Sequence, residues 1–153
     1  MKKAIFLVGG PGSGKDLVIN SILTHYGFKE YNTDQIKEDK QYEYNIVINA
    51  TAHNFERVKS TKELMESLYY NTSMIFVDVS NEVSRERMVN VHLSEDLRKE
   101  RTYYSKKNLE KFKDIFEDFY YFNNDDVIDS DKTISQLADL DSYIEEKLES
   151  PVE

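Results

Sequence analysis

Residues 9–16 read Gly9-Gly10-Pro11-Gly12-Ser13-Gly14-Lys15-Asp16, a G-x-x-x-x-G-K pattern with a carboxylate after the lysine. Glycines at these positions let backbone N–H groups turn inward around phosphate oxygens that side chains would obstruct. A helix opening at Lys15 adds partial positive charge, and the lysine reaches the outer phosphates of a nucleoside triphosphate. The spacing predicts a polyphosphate site formed by Gly9, Gly10, Pro11, Gly12, Ser13, Gly14, Lys15 and Asp16. Asp16 stands where such loops normally carry a hydroxyl. A bare carboxylate would repel a triphosphate, whereas one bound to Mg²⁺ is a good hard-oxygen ligand. Asn49 ends the apolar run Ile46–Ile48 and is neutral where an acid often assists the metal. The expectation is a Mg²⁺ site at Asp16 and Asn49, with the metal-side carboxylate moved from the third strand into the loop. The competing reading makes Asp16 a charge at a helix start and nothing more.

A strand followed by a helix must present this loop. Ala4–Val8 is a continuous apolar run of the kind that buried parallel strands show. From Lys15, Leu17, Ile19, Ile22 and Leu23 fall at near-helical spacing, and Gly27 stops the helix. Further strands are predicted at 28–32, 45–50 and 73–80, with 119–122 as a fifth strand or a helix end. Asn54 is placed to cap a helix over 55–70. Residues 82–119 read as one or two helices interrupted near 90–94. A last helix, capped by Asp131 or Thr133, closes at Pro151. Strands alternating with helices predict a three-layer, doubly wound parallel α/β sheet of about five strands in a single domain, 1–153. In such sheets ligands sit at the carboxyl ends of the strands.

The chain has no cysteine, which excludes disulfides and thiolate metal sites. Ala4–Val8 is too short for a secretory leader, and no stretch approaches the roughly 18 apolar residues of a membrane span. A soluble, cytoplasmic protein is expected. The net charge of −9 argues against coating nucleic acid. Charge is uneven, however. Residues 85–113 hold nine Lys/Arg against five acids, while the remainder holds 11 basic and 24 acidic residues. That basic segment fits either an anionic ligand or a solvated helix face. Of the pairs Tyr69-Tyr70, Tyr103-Tyr104 and Tyr120-Tyr121, one member each is expected in the core and the other at the surface. His53, alone, reads as a structural surface residue.

The glycine loop, its strand and its helix resemble those of the small P-loop kinases: nucleoside monophosphate, shikimate, gluconate and polynucleotide 5′-kinases and zeta toxins. A "GKD" loop is also similar to those of phage deoxynucleoside monophosphate kinases and phosphomevalonate kinases, and the chain resembles small P-loop proteins of tailed bacteriophages. The resemblance implies a nucleoside monophosphate kinase-like fold with a helical lid, here about 85–113. Tyr31-Asn32-Thr33-Asp34-Gln35 resembles the D-T-D-Q of shikimate kinases, with Asn32 for the first acid, which implies that Asp34 contacts or deprotonates the acceptor hydroxyl. A helix cap is the alternative role for Asp34. Ile48–Arg57 resembles a polynucleotide kinase segment but lacks its aspartate, and it lacks the glycine triplet of shikimate kinases. Val83–Arg87 stands where these kinases begin their lid. The resemblance thus implies that Arg87, Arg98 and Arg101 close over the transferring phosphoryl group.

Together these residues predict a Mg²⁺-ATP-dependent kinase with Lys15, Asp34, Arg87, Arg98 and Arg101 as its catalytic groups. Its expected acceptor is a small hydroxyl or phosphate compound, nearest to a nucleotide or nucleoside. The rival readings are a nucleotide-binding module that acts through a protein partner and a polynucleotide 5′-kinase.

Overall fold

The run Ala4–Val8 lies at the centre of the sheet as β1 (Lys3–Gly9), every residue of it buried. The structure is a computed structural model that describes residues 2–21, 23–89, 91–126 and 130–149. Along the chain, β1 is followed by α1 (Lys15–Ser21), β2 (Lys29–Asn32), β3 (Ile46–Thr51), α2 (Phe55–Ser67) and β4 (Asn71–Asp78). Then come α3 (Asn81–Arg87), α4 (Glu95–Ile115), β5 (Phe119–Asn123) and α5 (Asp131–Glu149). Among the described residues, five strands form one sheet in the order β2-β3-β1-β4-β5. Every neighbouring pair is parallel.

Because strand side chains alternate, the continuous apolar runs feed two cores. On one face, Phe6, Ile48 and Phe76 pack with Val58 and Met65 of α2 and Phe112 of α4. On the other, Leu7, Val47 and Val77 pack with Val18 and Ile19 of α1 and with Leu140 and Ile144 of α5. No helix among the described residues is long and apolar enough to cross a membrane.

Local chemistry sets the ends of these elements. The side chains of Asn54, Ser80 and Ser94 accept the amides of Arg57, Val83 and Leu97 and so cap α2, α3 and α4. Ser130, rather than Asp131 or Thr133, caps α5, since its hydroxyl accepts the Thr133 amide at 3.1 Å. Pro151 lies outside the described residues. The first helix stops at Ser21, and a 3-10 turn over Leu23–Tyr26 leads into Gly27 at φ +78°. The second helix stops at Ser67 instead of running to Tyr70. Tyr69 takes a left-handed φ of 66°, and Tyr70 is buried with its hydroxyl on the Tyr44 carbonyl. The Tyr69-Tyr70 pair thus divides between surface and core, but Tyr103 and Tyr104 are both exposed.

Of the stretch expected to form a lid, 85–113, residues 95–113 lie in α4. In α4, Phe112 belongs to the core, and buried Asn108 donates to the Ala52 carbonyl at 2.9 Å, so the helix is fixed on the sheet. Between α3 and α4, Val89 and Val91 are exposed.

Candidate functional site

The loop leaves β1 at its carboxyl end and wraps toward the first turn of α1. Gly12 and Gly14 lie at φ +71° and +83°, where a side chain is strained. A Cβ on Gly14 would also come within 2.5 Å of the Asn124 amide nitrogen. Three successive loop carbonyls are held from outside. Ser84 Oγ donates to Pro11 O at 2.7 Å, Arg87 Nη1 to Gly12 O at 3.1 Å, and Asn124 Nδ2 to Ser13 O at 2.8 Å. Across a trans peptide the next N–H points the opposite way, so the Gly12 and Gly14 amides turn away from these donors. On that side lies a cavity of about 230 Å³ lined by Gly10, Gly12, Ser13, Gly14, Lys15 and Asp16. This is the geometry of a backbone anion cradle.

Lys15 is half-buried at the mouth of the loop, with Nζ donating to the Ala50 carbonyl of β3 at 2.7 Å. Burial lowers its pKa to about 8, against the opposing pull of the Asp16 and Glu30 carboxylates. Asp16 itself is exposed at the cradle's rim. Asn49, expected beside the metal, has a carboxylate as its partner. Its amide donates to Glu30 Oε2 at 3.2 Å and so holds that carboxylate in place. The register that pairs Asn32 with Asn49 and Glu30 with Val47 puts Glu30 on the same face of the sheet as Asn49. Glu30 is thus an acid near Lys15 that the sequence pattern did not point to. Asp16 and Glu30, flanking Lys15, supply hard-oxygen donors of the kind that Mg²⁺ takes, so the residues present fit that ion.

A second cavity of about 230 Å³ adjoins the loop, lined by Gly9, Gly10, Pro11, Gly12, Lys15, Thr51, His53, Met88, Leu93 and Arg101. It brings together Lys15 and Arg101, two of the predicted catalytic cations. The Arg101 guanidinium makes no hydrogen bond or ion pair among the described residues, and it faces the loop across this space. Half-buried His53 corrects the sequence reading, because it lines the cavity rather than the outer surface. Burial and then the charges of Arg101 and Lys15 lower its pKa, with Glu100 opposing.

The other predicted residues stand elsewhere. The structure does not make Arg98 a lid arginine, since it is 1% exposed. All five of its N–H donors are occupied: Glu95 takes two, the Asn81 carbonyl and side chain one each, and Ser84 Oγ one. It pins α4 to α3, and the hydroxyl it touches is the one that holds Pro11. Arg87 is likewise spent on backbone, at Gly12 O and at Asn124 O (2.6 Å). It braces the loop from behind instead of closing over it. Asp34 follows β2 at the carboxyl edge of the sheet, outside both cavities, and forms an exposed ion pair with Arg57 of α2. Asn32, not Asp34, caps the 3-10 turn there, accepting the Gln35 amide at 3.2 Å. Arg57 is a second polar group that the sequence reading did not place at the site.

A larger cavity, about 510 Å³, opens at the opposite end of the sheet beside α2 and the start of β4. Of its charged side chains, Lys62 pairs with Glu66 and Asp118 with Lys147, and no glycine is among its lining residues.

No family model matches the chain, and no curated protein sequence matches it. Solved structures do. It is similar to shikimate kinase from Acinetobacter baumannii in complex with shikimate, with a TM-score of 0.60 and 12% identity over 97% of this chain and 93% of that one. Shikimate kinase from Bacteroides thetaiotaomicron gives 0.55 and 18% over 94% and 98%. A gluconokinase from Sinorhizobium meliloti 1021 gives 0.54 and 14% over 95% and 97%. At these identities the likeness is one of fold, and the chain has the five-stranded parallel α/β fold of the small P-loop kinases.

Proposed function

We propose that this protein is a Mg²⁺-ATP-dependent phosphotransferase that moves the γ-phosphoryl of ATP to the hydroxyl of a small acceptor. The observation that carries this reading is the convergence of Lys15 and Arg101 on one cavity beside the braced glycine loop. Loop amides and Lys15 bind the phosphates. Arg101 neutralises charge spreading over the transferring group, which is where phosphoryl transfer needs positioning and electrostatic help. Asp16, with Glu30 behind it, would hold Mg²⁺, which when bound neutralises charge on the phosphates. The Asp34–Arg57 pair offers the acceptor one carboxylate and one guanidinium at the adjacent strand end.

The sequence reading favoured a nucleotide or nucleoside acceptor. The similar structures are named for shikimate and gluconate, and the acidic pI of about 4.9 also suits a small polyhydroxylated acceptor. Hydroxyl compounds of that size therefore come first and nucleosides second.

The metal assignment has its own test. Calorimetric titration of ATP into the wild-type protein is expected to show affinity tightened by Mg²⁺. In Asp16→Ala that tightening shrinks about tenfold, as loss of one charged contact to a hard cation implies. Wild-type affinity that ignores Mg²⁺ would contradict the role given to Asp16.

A further inference from the structure

Phosphoryl transfer to a hydroxyl acceptor releases a proton, and the group that takes it must lie within hydrogen-bond reach of the attacking oxygen. Asp34 carries a carboxylate, but it is ion-paired to Arg57 and lines neither cavity at the loop. The cavity shared by Lys15 and Arg101 is otherwise lined by glycines, Pro11, Met88, Leu93 and Thr51, none of which is a base near neutral pH. Lys15 and Arg101 are cations that hold phosphate charge. His53 remains. It lies two residues past the end of β3, at the carboxyl edge of the sheet, and it lines the cavity with Lys15 and Arg101. Burial, and then the charges of those two cations, favour its neutral, proton-accepting form.

We propose that His53 is the proton acceptor of this site, acting from the cavity that it lines together with the glycine loop, Lys15 and Arg101. The inference rests on the kinase reading above and deepens it. In the step, the acceptor oxygen forms a bond to the γ-phosphorus while the bond from that phosphorus to the β,γ-bridging oxygen breaks. The electron pair leaves with ADP, and the hydroxyl proton passes to a ring nitrogen of His53, which later releases it to water. Charged groups from two elements act on the ring: Arg101 and Glu100 from α4, and Lys15 from the start of α1. A bound γ-phosphate adds negative charge and brings the imidazole back toward the neutral range, where a base of this kind is most effective.

The chain has three histidines, His25, His53 and His92, so His53 can be followed by NMR and assigned with H53Q. The probes are Mg²⁺-ADP and the Mg²⁺ complex of the non-hydrolysable β,γ-imido analogue of ATP. The imido complex is expected to raise the His53 titration midpoint by about one pH unit over the ADP complex, with His25 and His92 unmoved. In parallel, acceptor-free hydrolysis of Mg²⁺-ATP, with water in the acceptor's place, is expected to show an acid limb in the wild type. In H53Q it falls about 100-fold and loses that limb, while ADP affinity is retained. Identical His53 curves in the two complexes, or wild-type hydrolysis with the same acid limb in H53Q, overturn the proposal. If neither nucleotide perturbs the Gly14 and Lys15 amides, the nucleotide site itself fails, and the role of His53 falls with it.

Discussion

Lys15→Ala is expected to lower kcat/KM for ATP turnover by about a thousandfold while leaving the fold intact. The Lys15 amine is one of two cations on the cavity beside the loop, and burial has already removed much of its water. In the structure described here its partner is a neutral carbonyl, Ala50 O at 2.7 Å. A phosphate oxygen is a stronger acceptor, so the side chain gains by turning to the triphosphate. Alanine removes that charge where it counts most, against a phosphoryl group gaining negative charge. The cost to stability is small, because a half-buried ammonium with a single neutral partner contributes little net folding energy. Steady-state kinetics with a thermal melt checks both halves. Turnover within tenfold of wild type would contradict the role assigned to Lys15.

Arg98→Ala is expected to be the most damaging single change to stability among the predicted site residues, by about 3 kcal/mol in urea unfolding. The side chain is buried, it satisfies Asn81 and Ser84 from α3, and its aliphatic stem fills space in α4's contact with α3. Truncation leaves those polar partners without a donor and opens a cavity. The effect should reach the loop as well. Ser84 Oγ, which Arg98 touches at 3.0 Å, is the donor on Pro11 O, so nucleotide affinity should weaken even in the folded fraction. A change in stability under about 0.5 kcal/mol would show that this network is loosely held.

The fold could be read from the sequence because its central strands carry continuous apolar runs. A run such as Ala4–Val8 is apolar at every position only when both faces are covered, and here both faces are. The loop was legible for a related reason, since its glycines and lysine are contiguous. Residues that act at the site through tertiary contact were harder to see. Arg98 was read as a lid arginine from the resemblance to P-loop kinases, together with Arg87 and Arg101. The buried stripe of α4 runs Arg98, Thr102, Ser105, Asn108 and Phe112, at steps of three and four, and most of it is polar. Hydrophobic periodicity cannot detect a buried face that is built from hydrogen bonds. Glu30 was hidden because its approach to Asn49 depends on how β2 registers against β3. Asn124 acts across 111 residues of sequence, and no local pattern marks it. His53 carried a usable signal, for it follows a strand at the carboxyl edge of the sheet, where ligands bind. Its lack of a partnering motif led it to be read as a surface residue.

The most direct test of the central claim is transfer itself. Wild-type protein with Mg²⁺-ATP would be followed by ³¹P NMR, alone and with gluconate, shikimate, nucleosides, nucleoside monophosphates or a 5′-hydroxyl oligonucleotide. A kinase at this site predicts that one acceptor class accelerates ADP formation and yields a matching new phosphate ester signal. ATP binding with no acceptor-stimulated turnover and no new ester across the panel would contradict it and identify the loop as part of a nucleotide-binding module.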